Sequence, residues 1–560
     1  RQVSVAIIIG VLSVTLLGVF FDLVQFQGVI AYPPSIAPIF IKLDILGALD
    51  LAMISVIISF LFVNLFDTAG TLLGVASRAK LINESGEILN LDKALKADSS
   101  SSVFGSFFGC APVTSYVESS AGVEAGGRTG LTAVVVGFLF LIAIFSLLFA
   151  SPSFAAESTV NAETQFVFNT LLFLVCGFLV MFMAPGFAML ECGLVTSKSV
   201  SSIAAKNIAL YSIAGLMFWL CGYNLAYGIP EGGYIGSFLP WSDGTDFKKD
   251  SYAAGSDWYF QMVFCATTAS IVSGTLAERI KIWPFFLFTA ILTGILYPIQ
   301  MGWQWGGGWL SVKGFSDFAG STLVHAAGGA AALAGAIVLG PRLGRFVKGA
   351  HLTPFAASSI PLATLGTFVL WLGWFGFNGG SQLALGTFDD ATSISKIFIN
   401  TNLAACAGVM VNAIITRSIG GKTDVVMMLN GALGGLVAIT AEPLAPSPFA
   451  AICIGGIGGA IVVIASNLLE KFKIDDVVGA IPVHLFAGIW GTLAVPITNA
   501  ETSFSTQFLG VISVVGFMFL SSLVIWNIMK LTMGIRISDE AQKKGTDVSE
   551  IGVVAYAIRD

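Results

Sequence analysis

The sequence predicts an all-α protein that crosses a membrane many times, and three observations support this. Of its 560 residues, 56% are hydrophobic and 11% are charged, whereas soluble domains carry about 25% charged residues. Apolar runs long enough to cross a bilayer recur along the chain. The 63 glycines are typical of helices that pack closely through small side chains. No basic stripe indicates nucleic-acid binding, and the seven cysteines lack the spacing of a disulfide or metal site.

The first 145 residues contain apolar spans at 3–21 and about 46–65, followed by a polar stretch at 80–102. Asp67 lies in a Phe-Asp-Thr-Ala-Gly-Thr motif, and Glu118 lies in Thr-Ser-Tyr-Val-Glu-Ser. Carboxylates among Ser, Thr and Gly at membrane depth are typical of broken helices that line a cavity. A soluble loop between spans is the alternative interpretation.

This stretch resembles the AzgA-like guanine/hypoxanthine permeases of the nucleobase transporter superfamily. The resemblance implies that Asp67 and Glu118 occupy the positions of the family's substrate-binding carboxylates. It covers only a middle-to-late section of that family, and a site between two repeats needs both repeats. We therefore expect this truncated segment to transport nothing unless a partner completes it.

The junction at 128–157 contains about 19 apolar residues that lead to the small residues Ser153 and Ala155. This pattern fits a signal peptide, and it also fits one extra transmembrane helix. We interpret the junction as a fusion of a permease fragment to the signal region of a second protein. Either the fusion is genuine, or it is an artefact of the gene model. The sequence leaves both alternatives open.

Residues 160–535 contain eleven apolar runs, which predict eleven membrane helices. Lys and Arg concentrate in alternate loops, which predicts that this domain starts outside and that the tail at 536–560 is cytoplasmic. Five helices in each half permit a 5+5 inverted repeat with a site where the halves meet. The runs lie at about 166–192, 207–228, 258–276, 284–302, 319–340, 355–376, 397–416, 426–442, 448–469, 482–498 and 506–530.

Two of the three histidines, His325 and His484, lie in the fifth and tenth apolar runs. Asp317 opens the fifth run, and we expect His325 about two helical turns after it. Each ionisable group in such a span costs about 2.5–3.5 kcal/mol on insertion scales, so it indicates a transport pathway. A satisfied core histidine is the alternative for either residue alone, but matching positions in both halves favour the pathway.

Six stretches within residues 160–556 are similar, in order, to the Amt/Mep/Rh family of ammonium transporters. The resemblance implies an eleven-helix transport protein, not an enzyme, that needs no cofactor or metal. It also implies a homotrimer with one pore per subunit, in a bacterial-type inner (plasma) membrane. The stretches are 182–195, 277–279, 305–308, 317–321, 373–381 and 476–484.

The same resemblance assigns the site residues. Trp305, Ser381 and Phe260 correspond to an external site that recruits ammonium, where a ring face and an oxygen acceptor suit a small cation. Phe264 and Phe377 correspond to a stacked gate below that site.

His325 and His484 correspond to a pair in the pore beyond the gate. A bare charge in a low-dielectric medium costs tens of kcal/mol, so we expect ammonium to lose its proton and ammonia to cross. Imidazole can both donate and accept, which suits a proton relay. We expect Asp317 to have a supporting role, accepting backbone N–H groups near a helix start. Neutral ammonia conduction and net charge movement both fit this sequence.

The tail resembles the family's regulatory tail, which contacts a neighbouring subunit and takes part in control by P-II signalling proteins. Two alternative functions stay open. The chain is a sensor that binds ammonium and signals through its tail, or it is a purine permease whose second part is not needed.

Overall fold

The computed structural model describes residues 42–43, 54–83, 88–107, 119–148, 162–246, 250–347 and 355–556. The chain divides into two compact units, residues 1–157 and 158–560. Within the described ranges the regular structure is helical, and β-pairing is limited to two isolated bridges. The predicted all-α class is therefore confirmed.

In its described residues the first unit has four helices, and α1 contacts both α2 and α3. Thr68 Oγ1 donates a hydrogen bond of 3.0 Å to Asp98 Oδ2 between α1 and α2. Asp67 lies in α1, but its side chain is outside the described part of the structure, as are Glu118 and the junction residues Ser153 and Ala155. The helices are α1 (Ile54–Ala79), α2 (Leu91–Ser106), α3 (Ser119–Glu124) and α4 (Gly130–Leu148).

The second unit contains the eleven predicted helices. In the described ranges, nine helices are long and apolar enough to cross a membrane, and the more polar α7 and the shorter α12 complete the set. They are α5 (Ala162–Leu194), α6 (Val200–Tyr227), α7 (Ala254–Thr275), α8 (Ile282–Gly302), α9 (Ser321–Leu339), α10 (Ile360–Gly380), α11 (Phe388–Gly420), α12 (Val425–Ile439), α13 (Pro448–Lys471), α14 (Ile481–Thr498) and α15 (Phe504–Thr532).

Capping residues set helix starts that the apolar runs alone do not show. Helix α11 begins well before the run predicted at 397–416, because Thr387 and Asp390 form a capping box with reciprocal backbone hydrogen bonds. Helix α9 begins at Ser321, so His325 lies in its first turn. The expectation of a histidine two turns into this helix is therefore wrong.

Helix α9 is the most enclosed of the nine long apolar helices, with 89% of an 18-residue stretch buried. It packs against α7, α14 and α15, while α11, α12 and α13 pack on one another. The first turns of α9 and α14, which carry the two histidines, contact each other near the middle of the unit. We use outer and inner for the two faces according to the predicted orientation.

A short tail helix, α16 (Asp539–Lys544), packs with its flanking residues on the inner face of its own chain. The Asp547 carboxylate accepts hydrogen bonds from the backbone N–H groups of Val200 and Ser202, at 3.1 and 2.8 Å. Glu550 Oε2 accepts one of 3.0 Å from Ile282 N–H. Carboxylates are favourable at helix N-termini, so the tail stabilises the inner starts of α6 and α8.

A buried ion cluster joins the inner loops of both halves. Asp475 accepts from Arg342 Nε at 2.9 Å and from Arg342 Nη2 at 3.0 Å, and Arg342 Nη1 donates to Glu278 at 2.8 Å. Burial alone would raise the pKa of Asp475, but the Arg342 hydrogen bonds and the charges of Arg279 and Arg342 hold it below its ordinary value of 3.8. The charged form of Asp475 therefore stabilises the folded state.

We predict that Asp475→Asn lowers the free energy of unfolding by about 3–5 kcal/mol, since it removes the carboxylate charge that the buried guanidinium groups of Arg279 and Arg342 share and leaves only Glu278 to pair with Arg342. Because the folded pKa is depressed, this stabilisation is present above pH 3.8 and is lost as pH falls through the folded pKa. Thermal unfolding of the purified protein over a pH series measures both effects.

The matched control is Glu470→Gln, which removes the partner of Arg345 at 2.7 Å in a pair whose carboxylate side chain is 52% exposed. Such pairs contribute about 0–1 kcal/mol, so this variant should unfold like the wild type. Equal destabilisation by the two substitutions would contradict the role given to the buried cluster.

Candidate functional site: an outer cavity above a histidine pair

An outer cavity of about 300 Å³ lies where α6, α7, α8 and α10 meet. The three residues predicted to recruit a cation, Trp305, Ser381 and Phe260, all line it, and the predicted gate residue Phe264 lies beside them. The other lining residues are Tyr227, Tyr252, Asp257, Gln261, Gln304, Phe318 and Leu383. The cavity therefore combines aromatic faces with oxygen acceptors.

Two of the side chains predicted to recruit a cation are fixed by hydrogen bonds to backbone carbonyls. Trp305 Nε1 donates a 2.9 Å hydrogen bond to the Asp317 carbonyl, and Ser381 Oγ donates one of 2.9 Å to the Phe377 carbonyl. A hydroxyl that donates to the protein keeps its lone pairs free to accept. Ser381 can therefore act as an acceptor for a donor in the cavity.

Asp257 is a buried carboxylate on the cavity wall that sequence reasoning missed. It accepts hydrogen bonds from Tyr223 Oη at 2.6 Å and from Gln261 Nε2 at 3.2 Å. Burial and the charges of Asp257 and Asp250 raise the pKa of Tyr252 to about 12, so its hydroxyl stays neutral. The cavity thus has an acidic side chain within an aromatic wall, which favours a small cation.

The floor of the cavity is formed by two stacked rings. Phe264 and Phe377, the predicted gate, lie with ring centroids 4.0 Å apart and planes at 24°. Trp305 meets Phe264 edge-on at 5.9 Å. This stack lies between the cavity and the histidines, and its role as a gate stays a prediction.

Directly beneath the stack, His325 and His484 face each other. Their Nδ1 atoms are 3.2 Å apart, and their rings are stacked at 5.2 Å and 19°. Trp374 stacks on the other side of His325 at 4.9 Å, and Phe377 contacts it at 5.3 Å. Both histidines are almost fully buried, so the pair is enclosed by aromatic rings.

The two histidines are held by equivalent motifs in the two halves. The Asp317 carboxylate accepts from the N–H groups of Gly320, Ser321, Thr322 and Leu323, at 2.8–3.1 Å. In the other half, Asp476 accepts from Gly479 and Ile481 and from the Thr275 hydroxyl. With four N–H groups on its two oxygens, Asp317 is occupied by the start of α9, in keeping with a supporting role.

Glycines in each half allow the histidine helices to come close. Gly320 and Gly479, three residues after each aspartate, have φ of 106° and 80°, which few other residues adopt. Gly329 and Gly488 each lie four residues after a histidine, at the crossing of α9 and α14. An added Cβ would lie 2.6 Å from the Leu485 nitrogen at the first, and 2.4 Å from the Ser321 carbonyl oxygen at the second.

On the inner side of the pair, Phe187 packs against His484 with ring centroids 5.9 Å apart. A cavity of about 10 Å³ follows, lined by His484, Phe187, Glu191, Ser270 and Asn430 among others. Within the described ranges, no group of three or more His, Cys, Asp or Glu side chains could hold a metal ion.

Three side chains around the cavities and the histidine pair were not predicted from the sequence: Asp257, Trp374 and Glu191. Trp374 could have been found from its motif, since it lies three residues before Phe377 and hence on the same helix face. Asp257 and Glu191 gave no such signal, because single carboxylates near the ends of apolar runs are also typical of interfacial residues.

Comparison with known proteins agrees with this geometry. The model of the Ammonium Transporter Family matches residues 171–556, and that of a Permease family matches residues 1–162. Ammonium transporter Amt2 of Archaeoglobus fulgidus is 38% identical over 453 residues, which cover 75% of this chain and 94% of that protein. These matches confirm both resemblances found in the sequence.

Two solved structures have the same fold as the second unit. The structure titled Sensor Amt Protein is 34% identical with a TM-score of 0.66, and the alignment covers 70% of this chain and all of that one. Mep2 of Candida albicans is 25% identical with a TM-score of 0.63, covering 71% of this chain and 92% of that one.

We predict that Gly329→Ala lowers the free energy of unfolding by about 1–3 kcal/mol, the usual effect of overpacking, because its methyl group meets the α14 backbone. Thermal unfolding measures the change. The control is Gly516→Ala in α15, where an added Cβ meets nothing within 4 Å. That variant should be neutral or slightly more stable. If Gly329→Ala were as stable as the control, helices α9 and α14 could move apart without cost, which would contradict the need for glycine at their crossing.

Proposed function

Because the chain belongs to the ammonium transporter family, we propose that its second unit moves ammonium across the membrane. In this proposal ammonium binds in the outer cavity and loses a proton, and ammonia passes between the helices beside His325 and His484. The observation that carries the proposal is the 3.2 Å contact between the two Nδ1 atoms below a cavity suited to a cation.

Recruitment depends on the walls of the outer cavity. The Trp305 ring offers a cation–π face worth about 1–2 kcal/mol to a partly desolvated ion, and Ser381 offers an oxygen acceptor. Phe260 completes the aromatic wall. Asp257, which is buried beside them, adds negative potential that raises the local concentration of cations over neutral molecules.

Deprotonation follows from the cost of moving a charge past the Phe264–Phe377 stack. Ammonia crosses that apolar layer at much lower cost than ammonium does. The released proton requires a path of its own, and the histidine pair supplies one. One imidazole donates and the other accepts, so a proton that enters on one side displaces another on the far side.

Assembly and control are proposed on the family resemblance. We propose a homotrimer in the inner membrane with one pore per chain, the outer cavity outside and the tail in the cytoplasm. The tail, bound to the starts of α6 and α8, is the surface that a P-II protein would contact. Native mass spectrometry that finds only monomers would contradict the trimer.

A sensing function is the second candidate, because the chain aligns over the full length of a structure titled Sensor Amt Protein. A sensor binds ammonium but carries no sustained flux. A purine permease is the third, because residues 1–162 match a Permease family. Ammonium binding, ammonium current and purine uptake by the same preparation separate the three functions.

We predict an ammonium-evoked current from the full chain in proteoliposomes, reduced about a hundredfold in His325→Leu. Leucine has a similar volume but can neither donate nor accept a proton. The matched control is His351→Leu, a histidine that the sequence locates in a basic loop between spans, and this variant should carry the wild-type current.

Binding without current in the wild type would support the sensor. Purine uptake that is lost in Asp67→Asn or Glu118→Gln and kept in His325→Leu would assign the activity to the first unit. Equal currents in His325→Leu and the wild type would contradict the proposed relay.

A further inference from the structure

A second polar site lies on the inner side of the histidine pair, around Glu191. This side chain lies in α5 and is 1% exposed. Its Oε2 accepts hydrogen bonds from Ser273 Oγ at 2.8 Å and from Asn207 Nδ2 at 3.1 Å. Its Oε1 has no hydrogen-bond partner in the described structure. A buried carboxylate oxygen without a donor is costly, so it indicates a ligand that supplies the donor.

The carboxylate of Glu191 and the ring of His484 line the same small cavity. Its volume of about 10 Å³ is close to the minimum that holds one water-sized molecule. Ammonia and ammonium are of this size. A molecule that leaves the histidine pair on the inner side therefore meets Glu191 next.

Lys206 is buried in the same cluster, which raises the alternative of a purely structural ion pair. Its Nζ donates to the Ser273 carbonyl at 2.7 Å and lies 4.8 Å from the centroid of the Phe285 ring. Neither contact uses Oε1 of Glu191, which stays unpartnered. Lys206 offsets the charge of the glutamate while leaving one oxygen available to a ligand.

We propose that Glu191 forms an inner ammonium site, where ammonia regains its proton before it leaves the pore. A proton on Glu191 passes to ammonia, which gives ammonium and a carboxylate, and Oε1 accepts a hydrogen bond from the new cation. The carboxylate then takes up the proton that the outer ammonium released, delivered through the histidine pair. This inference rests on the proposed transport function.

The test compares wild type, Glu191→Gln, Glu191→Asp and Glu501→Gln, all as full chains in proteoliposomes. Glutamine keeps the shape of the side chain but cannot take up and release the proton. Glu501 is an exposed residue between α14 and α15 and is the control. We expect Glu191→Gln to lower the maximal rate of ammonium uptake about tenfold with little change in KM. A tenfold decrease corresponds to the smallest usual cost of losing one charge-assisted hydrogen bond. Aspartate should restore part of the rate.

An infrared difference spectrum, recorded with and without ammonium chloride, reports on the site without any transport. We expect a carboxyl band induced by ammonium in wild type and in Glu501→Gln, and its loss in Glu191→Gln.

If the band is lost in Glu191→Gln but neither the wild type nor any variant transports ammonium, the inner site stands and the transport proposal fails. If Glu191→Gln keeps both the band and the wild-type rate, the inner site is wrong and transport is unaffected. Thermal unfolding confirms that the variants are folded.

Discussion

The arrangement of the second unit around its buried histidines depends on the 3.2 Å approach of His325 Nδ1 to His484 Nδ1. At this distance one nitrogen must donate and the other accept, so the two rings have opposite tautomers and share one proton. Trp374 and Phe377 fix the plane of the first ring, and Phe187 packs on the second. The pair can pass a proton along without holding a net charge in a buried site.

The chain achieves this contact by using one motif twice. In each half an aspartate holds the start of a helix, and a glycine with positive φ follows three residues later. A histidine lies eight residues after each aspartate, and another glycine follows at the helix crossing. The carboxylate oxygens of both aspartates accept backbone N–H groups, so these side chains serve the helix starts. The glycines at the crossing have no side chain, so the two helix backbones can approach closely. The aspartate charges are therefore neutralised by helix N-termini and lie apart from the histidine rings.

The sequence predicted the number of helices in the second unit, because most of them are long apolar runs and the more polar α7 and the shorter α12 are still bounded by polar residues. It also predicted the histidine pair, because two ionisable residues at matching places in apolar helices are rare. The start of α9 and the length of α11 could not be read from hydrophobicity, since Gly320 and the Thr387 cap decide them. Asp257 and Glu191 were missed because a single carboxylate near the end of an apolar run is also typical of an interfacial residue, and hydrophobicity does not show which helix face lines a cavity.

The shared proton is directly visible by ¹⁵N NMR of the full chain labelled at histidine, with His351 replaced by asparagine so that only His325 and His484 contribute signals. We predict one protonated and one unprotonated Nδ1, joined through a hydrogen bond, and no doubly protonated ring at neutral pH. Two unprotonated Nδ1 atoms, or a charged imidazolium on either residue, would contradict a shared proton and with it the relay through the pore.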